Sequence, residues 1–137
     1  MHEFCLLETM KARCRWNSEV IVMTSARWGR MKTGRCLDID PERLAANRNN
    51  PMFLGCSEDV LSLLDTKCSS KPACDVVVPN ADLDSITPCY RDIEHYLESS
   101  YTCVKGNSAD CGVVKCHSFA LSSFQPTRIL SLRLAIL

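Results

Sequence analysis

The fold of this 137-residue chain is decided by the stretch Glu19-Val20-Ile21-Val22-Met23-Thr24-Ser25-Ala26-Arg27-Trp28-Gly29-Arg30. Residues 19–26 form a run of apolar and β-branched side chains, which is typical of a buried strand. Gly29 permits backbone angles that other residues avoid, so the strand is predicted to end in a turn at Trp28-Gly29-Arg30. Residues 19–30 therefore predict a buried strand that leads into a turn.

Three other segments predict strands. Residues 9–14 alternate polar and apolar side chains, as a half-buried strand does. Residues 74–78 are rich in valine and stop before Pro79. Residues 94–104 alternate again, so that Leu97 and Tyr101 point to one side of the strand. The sequence therefore predicts a domain that is rich in β-structure.

Two helices are predicted between these strands. Residues 57–68 form the clearer one, with Ser57 as the N-cap and apolar side chains on one face. Residues 31–55 show little periodicity and contain several turn-forming residues, which predicts a long loop. Within that loop, residues 41–47 are predicted to form a short helix.

Composition excludes several classes of protein. Sixteen basic and sixteen acidic residues give a formal net charge of zero, which argues against a nucleic-acid-binding protein. The hydrophobic fraction of 46% is enough for a buried core. Residues 129–137 are apolar, but they are too few and too charged to span a bilayer, so no membrane insertion is expected. A mobile tail and a docked strand both stay open for this segment.

Ten cysteines lie between Cys5 and Cys116. Such density indicates either an extracellular disulfide framework or a metal or redox module. Metal modules use close cysteine pairs separated by two residues, whereas the closest pairs here are Cys111/Cys116 and Cys68/Cys74. The spacing therefore favours disulfides, with no metal and no cofactor. Cys111 and Cys116 either close a small loop on each other or pair with a cysteine elsewhere.

The start of the chain conflicts with secretion. Residues 1–8 contain neither a basic segment nor an apolar run of signal-peptide length. Either the compartment is not extracellular, or the sequence is a fragment; the position of Cys5 favours a fragment. Residues 106–108 resemble a linker. The expected organisation is a domain over residues 5–104, followed by a linker and tail over residues 105–137 with the extra cysteine pair.

Four motifs resemble those of one known family. Cys5 and Cys14 are separated by eight residues, residues 25–30 match Ser-Ala-Asn-Tyr-Gly-Arg, residues 87–89 match Asp-Pro-Cys, and residues 96–103 match a closing Tyr-Leu-Glu strand with a terminal cysteine. Together they resemble the galactose/rhamnose-binding lectin domain first described in sea-urchin egg lectin. That domain also occurs in fish egg lectins and in cell-surface receptors such as latrophilins. The match covers about residues 5–104.

The resemblance implies a fold, a location and a set of disulfides. It implies a compact, disulfide-rich α+β domain with an antiparallel β-sheet and two or three short helices, in a secreted or cell-surface protein. Its expected partners are galactose- or rhamnose-like glycans. The cysteine pairs that it implies are Cys5–Cys36, Cys14–Cys103, Cys56–Cys89 and Cys68–Cys74. The residues alone leave the pairing open, because eight cysteines allow 105 connectivities.

The residues that grip sugar in the family differ here. The family uses a Glu after the first cysteine, the Tyr of Tyr-Gly-Arg, the Asp of Asp-Pro-Cys and a Gly-Thr-Tyr-Lys loop. Leu6, Trp28 and Thr87 stand at the first three positions, and residues 90–95 replace the loop. The resemblance then implies a ring-stacking role for Trp28. The polar contacts would come from Glu8, Arg91, Asp92, Glu94 and His95.

Alternatives remain for each of these residues. Trp28 is equally well interpreted as a core aromatic, and Arg30 as a structural side chain that binds loop carbonyls. Asp92, Glu94 and His95 also fit a solvated loop. An enzyme is not expected, because the cysteines are expected to pair and no hydrolase, phosphate-loop or metalloprotease motif occurs. The two functions that remain are a carbohydrate-binding module and a protein-interaction ectodomain that has lost sugar binding.

Overall fold

The longest strand, β3, organises the fold in this computed structural model, which describes residues 1–90 and 93–106. Within those ranges the strands are β1 (His2–Phe4), β2 (Thr9–Arg13), β3 (Glu19–Arg30), β4 (Cys56–Asp59), β5 (Ala73–Val77) and β6 (Tyr96–Lys105). The helices there are α1 (Pro41–Ala46), α2 (Leu61–Cys68) and α3 (Ala81–Asp84). The architecture is therefore α+β with three short helices, as predicted.

All strand pairs are antiparallel. β3 pairs with β6 on one side and with β4 on the other, and β1 extends the sheet beyond β6, which gives the order β1-β6-β3-β4. β2 and β5 form a separate two-stranded sheet. The strand predictions for residues 9–14, 74–78 and 94–104 are confirmed with small shifts at their ends.

The predicted turn at Trp28-Gly29-Arg30 is wrong. β3 continues through these residues to Arg30, and Gly29 pairs with Ser57 of β4. Gly29 has a φ of +150°, and a β-carbon on it would lie 2.4 Å from the carbonyl oxygen of Cys56. Glycine is therefore required here because two strands approach closely, and not because the chain reverses.

The predicted helix over residues 57–68 begins later than expected. Cys56–Asp59 forms β4, because its backbone completes the edge of the sheet beside β3. Ser57 is therefore not the N-cap; Val60 occupies that position, and Asp59 accepts a hydrogen bond from the backbone N–H of Leu61 at 2.8 Å. Pairing between strands thus overrides the local capping signal. The short helix predicted at residues 41–47 is confirmed as α1.

The main core draws its side chains from both sheets and from α2. β2 shows the period-two pattern that the sequence predicts, since Met10 and Ala12 are buried while Lys11 is exposed. α2 contributes Leu64 and Cys68, both fully buried. A second cluster consists of Leu37, Ile39, Phe53 and Tyr96. At the end of β3, Trp28 belongs to the main core and Arg30 is also buried.

Four disulfides join the elements of the described part of the chain: Cys5–Cys36, Cys14–Cys103, Cys56–Cys89 and Cys68–Cys74. They are the same four pairs that the lectin resemblance implies. Several disulfides in one domain are typical of proteins that mature in an oxidising compartment. Within the described residues, no helix is long and apolar enough to cross a membrane. Cys111, Cys116 and the predicted tail lie outside those residues.

Candidate functional site

An open concavity of about 700 Å³ lies where the end of β3 meets four connecting segments. These segments are the turn after Cys5, the loop after Cys36, the stretch after α3 and the approach to β6. Its lining residues are Leu6, Leu7, Trp28, Cys36, Leu37, Asp38, Arg43, Pro79, Asp84, Ile86, Thr87, Ile93, Glu94 and His95. Most of the lining is thus apolar, with charged groups among it.

Trp28 contributes to this concavity from the core. Only 2% of its surface is exposed, and its indole Nε1–H donates a hydrogen bond of 3.1 Å to the carbonyl oxygen of Ile86. The imidazole of His95 lies beside it, with ring centroids 5.6 Å apart and a tilt of 36°. The geometry is that of a core aromatic, because a ring with so little exposed surface offers no broad face for stacking. Trp28 supports the wall of the concavity from beneath.

Three further positions that match the sugar contacts of the lectin family lie at this concavity: the residue after Cys5, the residue before Pro88, and the segment before β6. Leu6 and Thr87 both line the concavity, together with Glu94 and His95 from the segment before β6. Thr87 and Glu94 are exposed, while Leu6 and His95 are half-buried. The fold therefore brings Leu6, Thr87 and the candidate residues Trp28, Glu94 and His95 to one place, although they are far apart in sequence.

Glu8 is not among the lining residues. Its carboxylate forms a double contact with Arg35, in which Nη1 and Nη2 lie 2.6 and 3.0 Å from the two oxygens, and it also accepts the backbone N–H of Cys5 at 2.8 Å. These contacts, the Arg35 hydrogen bond first, lower the pKa of Glu8 to about 2. Glu8 therefore has a structural role in fixing the turn at Cys5, and its role as a sugar contact stays a prediction.

The same turn presents Leu7 to solvent. Leu7 has a φ of +68°, which is uncommon for a residue other than glycine, and 92% of its surface is exposed. Its backbone N–H donates to Val78 at 2.7 Å, and the neighbouring Glu8 N–H donates to Cys5 at 3.1 Å. The backbone of Leu7 is thus held in place, with its apolar side chain exposed at the edge of the concavity, and no sequence motif marks this residue.

Arg30 takes the structural role that the sequence analysis offered for it. Its side chain is fully buried, and its guanidinium donates a hydrogen bond to the carbonyl oxygen of Tyr90. The guanidinium carbon also lies 6.0 Å from the ring centroid of Phe53. Arg30 therefore holds the segment that leads to the predicted contacts Arg91 and Asp92, which themselves lie outside the described residues.

Sequence reasoning missed three charged residues of the concavity. Asp38 and Arg43 come from the long loop and from α1, and Asp84 is the last residue of α3. These segments carry no periodic pattern that would orient their side chains. Only the folded arrangement places Asp38, Arg43 and Asp84 around the same space.

Ligand-type atoms come together at two other places in the described part of the chain. These are Cys5 with Glu8 and Cys36, and Cys14 with Glu19 and Cys103. In both, the sulfurs already form a disulfide. Metal ions in proteins bind cysteine as a thiolate, so neither group fits a metal site in its oxidised form.

Comparison of the whole chain with known protein families and with curated proteins finds no match.

Proposed function

We propose that this chain is a carbohydrate-binding module of the galactose/rhamnose-binding lectin type, in a secreted or cell-surface protein. The observation that carries the proposal is the concavity itself. It gathers Leu6, Trp28, Thr87 and the Glu94–His95 segment, which stand at the positions that the family resemblance assigns to sugar contacts. The four disulfide pairs also support it, because they are the pairs that this resemblance implies.

The chemistry of the concavity suits a sugar. Apolar side chains such as Ile86 and Ile93 can contact the C–H face of a pyranose ring. Thr87, Glu94 and His95 offer a hydroxyl, a carboxylate and an imidazole for hydrogen bonds to ring hydroxyls. Hydroxyl recognition by such groups supplies specificity, because an analogue that lacks the hydroxyl leaves them unpaired. Trp28 positions His95 and Ile86 rather than stacking on the ligand.

A second candidate function is a protein-interaction ectodomain on the same scaffold. It is favoured by Leu7, whose exposed apolar side chain is held in an unusual backbone conformation at the edge of the concavity. An apolar side chain that is removed from water in an interface favours association. Leu6 and Thr87 also stand where the lectin family has acidic residues, so two of the family's sugar-binding side chains are missing.

Glycan-array binding of the purified domain, presented as a multivalent fusion, tests the proposal. The key variant is Thr87→Trp, which fills the concavity from an exposed position. We expect the wild type to bind a defined set of glycans. We expect this variant to bind the same glycans at least about tenfold more weakly. The matched control is Tyr90→Trp, since Tyr90 is 52% exposed and does not line the concavity.

An array that stays blank at high protein density would contradict the lectin proposal. Capture of a receptor ectodomain that is unaffected by added sugar, but lost in Leu7→Ser, would favour the protein-interaction function. Equal glycan binding by the wild type and Thr87→Trp would show that sugar is bound at another surface.

A further inference from the structure

The disulfide Cys5–Cys36 joins two of the segments that form the concavity. One is the turn at residues 5–8, here called the turn wall, and the other is the loop at residues 35–38, here called the loop wall. Leu6 lines the concavity from the turn wall, while Cys36 and Leu37 line it from the loop wall. A covalent bond therefore limits how far these two walls can move apart.

Each wall is anchored in a different part of the molecule. In the turn wall, Leu6 packs against the main core, and the backbone is held at the end of β5 by two hydrogen bonds. They run from the Leu7 N–H to the Val78 carbonyl at 2.7 Å and from the Val78 N–H to the Glu8 carbonyl at 2.9 Å. In the loop wall, Leu37 is buried in the second cluster. Each wall therefore keeps its own anchors if the disulfide between them is broken.

An ion pair also joins the two walls. The guanidinium of Arg35 contacts the carboxylate of Glu8 at 2.6 and 3.0 Å. Both side chains are exposed, at 54% for Arg35 and 40% for Glu8. Exposed ion pairs add little to stability and are weakened further by salt. The disulfide is therefore the stronger of these two links.

This disulfide can also be reached by a reductant. Cys5 and Cys36 are both half-buried, and Cys36 lines the open concavity. The pairs Cys56–Cys89 and Cys68–Cys74 are less accessible, since each of their residues is at most 8% exposed. Cys14–Cys103 is also half-buried, but neither of its residues lines the concavity. Exposed disulfides are those that an attacking thiolate reaches most easily.

From this arrangement we infer that Cys5–Cys36 is a redox switch that controls ligand binding in the concavity. The inference rests on the proposed glycan-binding function. In the switching step, a thiolate of a dithiol reductant attacks Sγ of Cys36, the S–S bond breaks, and Cys5 leaves as a thiolate that takes up a proton. The second thiol of the reductant then attacks the mixed disulfide, which releases Cys36 as a thiol. The two electrons come from the reductant, which ends as a disulfide.

Reduction weakens binding because the site becomes less preorganised. The two walls keep their separate anchors, but the distance between them then depends on the exposed pair of Glu8 and Arg35. A ligand must hold the walls in place itself, and that ordering reduces its affinity. By linkage, a ligand that prefers the oxidised protein makes Cys5–Cys36 harder to reduce by the same factor.

Thiol mapping tests the accessibility of the switch. The folded protein is titrated with dithiothreitol, free thiols are blocked with iodoacetamide, and the labelled cysteines are identified by mass spectrometry. We expect Cys5 and Cys36 to be labelled before the buried cysteines of Cys56–Cys89 and Cys68–Cys74. Labelling of a buried pair first would overturn the inference.

Glycan-array binding tests the consequence for the ligand. Wild-type protein is compared before and after the dithiothreitol treatment that opens Cys5–Cys36, and with the variant Cys5→Ser/Cys36→Ser. We expect both the treated protein and the variant to bind at least about tenfold more weakly than the oxidised wild type. The variant should not weaken further in dithiothreitol at that concentration. The matched control is Cys14→Ser/Cys103→Ser, which removes a disulfide of similar exposure away from the concavity.

A second variant keeps the test independent of any loss of stability in the serine variants. Arg35→Gln removes the ion pair to Glu8, and Arg35 does not line the concavity. In the oxidised protein it should change glycan binding by less than about twofold, because the disulfide still joins the walls. In protein with Cys5–Cys36 opened, it should weaken binding further. Purely additive effects of the two changes would overturn the inference.

The outcomes separate this inference from the function on which it rests. Unchanged glycan binding after Cys5–Cys36 is opened would overturn the switch and leave the lectin proposal standing. An equal loss in folded Cys14→Ser/Cys103→Ser would also overturn the switch, because the effect would then not be specific to the walls of the concavity. Absence of glycan binding by the oxidised wild type would overturn both.

Discussion

The indole N–H of Trp28 donates a hydrogen bond of 3.1 Å to the main-chain carbonyl of Ile86, which lies 58 residues further along the chain. This bond ties the end of β3 to the segment after α3, and both residues line the concavity. Because Trp28 is almost fully buried, the shape of the concavity depends on the packing of the core beneath it. The stability of the fold and the shape of the concavity are therefore coupled at this residue.

Replacement of Trp28 is expected to destabilise the fold. Trp28→Ala removes a side chain that is 2% exposed and should lower the free energy of unfolding by about 3–5 kcal/mol. Trp28→Phe keeps most of the apolar contact and loses the hydrogen bond to Ile86, so a smaller loss of about 1–2 kcal/mol is expected. Chemical denaturation measures both; a loss below about 1 kcal/mol for Trp28→Ala would contradict the core assignment.

Gly29 is expected to tolerate no side chain. In Gly29→Ala the new β-carbon would meet the backbone of Cys56 and Ser57 at 2.4 and 2.7 Å, so β3 and β4 would have to separate. We expect a loss of about 3 kcal/mol or more in unfolding free energy. Gly34→Ala is the control, because a β-carbon there has no neighbour within 4 Å. Similar stability of the two variants would rule out close strand approach as the reason for glycine.

Glu8 is expected to be one reason why the folded state loses stability in acid. Its pKa is lowered from 4.5 to about 2, chiefly by the hydrogen bond from Arg35. A carboxyl group with a lowered pKa in the folded state contributes stability above pH 4.5, and that contribution is lost as the pH falls towards 2. Glu8→Gln should therefore melt at a lower temperature than the wild type near neutral pH, and the difference should shrink in acid.

The control for this pH dependence is Glu58→Gln, which changes an exposed carboxylate of β4. It should leave the pH profile of the melting temperature unchanged. Because the Glu8–Arg35 pair is solvent-exposed, high salt should reduce the difference between Glu8→Gln and the wild type. A constant difference from neutral pH down to pH 2 would show that Glu8 acts through packing and not through its charge.

The disulfides are expected to contribute unequally to the free energy of unfolding. Cys14–Cys103 links residues 89 apart, whereas Cys68–Cys74 links residues only 6 apart. In the chain-entropy description a longer loop restricts the unfolded chain more, by about 2 kcal/mol between these two lengths. Paired replacement of Cys14 and Cys103 by alanine should therefore cost more unfolding free energy than paired replacement of Cys68 and Cys74. The reverse order would indicate that local packing at α2 outweighs the loop effect.

The strands could be predicted from sequence because burial repeats every second residue, as it does in β2 and in β5. Gly29 and Ser57 were misinterpreted for one shared reason. Each has a strong local signal, for a turn and for a helix cap, but the pairing of β3 with β4 decides both. A contact between residues far apart in sequence leaves no trace in a local pattern.

The candidate site could also be predicted only in part from local sequence patterns. Glu94 and His95 could be proposed because they stand in the segment that replaces a family motif, whereas Asp38 and Asp84 lie in segments without a motif. Glu8 was selected for its chemistry and its closeness to Cys5, yet the structure pairs it with Arg35 instead. Residue type and spacing thus suggested part of the lining. The direction in which each side chain points could be known only from the folded structure.

The most direct test of the central claim is an amide NMR titration of the domain with a galactoside, a rhamnoside and a glucosamine oligosaccharide in turn. The account predicts that at least one sugar shifts the signals of Leu6, Thr87 and Glu94, together with the indole N–H of Trp28. Signals of the β2–β5 sheet should stay in place as an internal control. Shifts confined to another surface, or no shifts with any of the three sugars, would contradict a glycan site in the concavity.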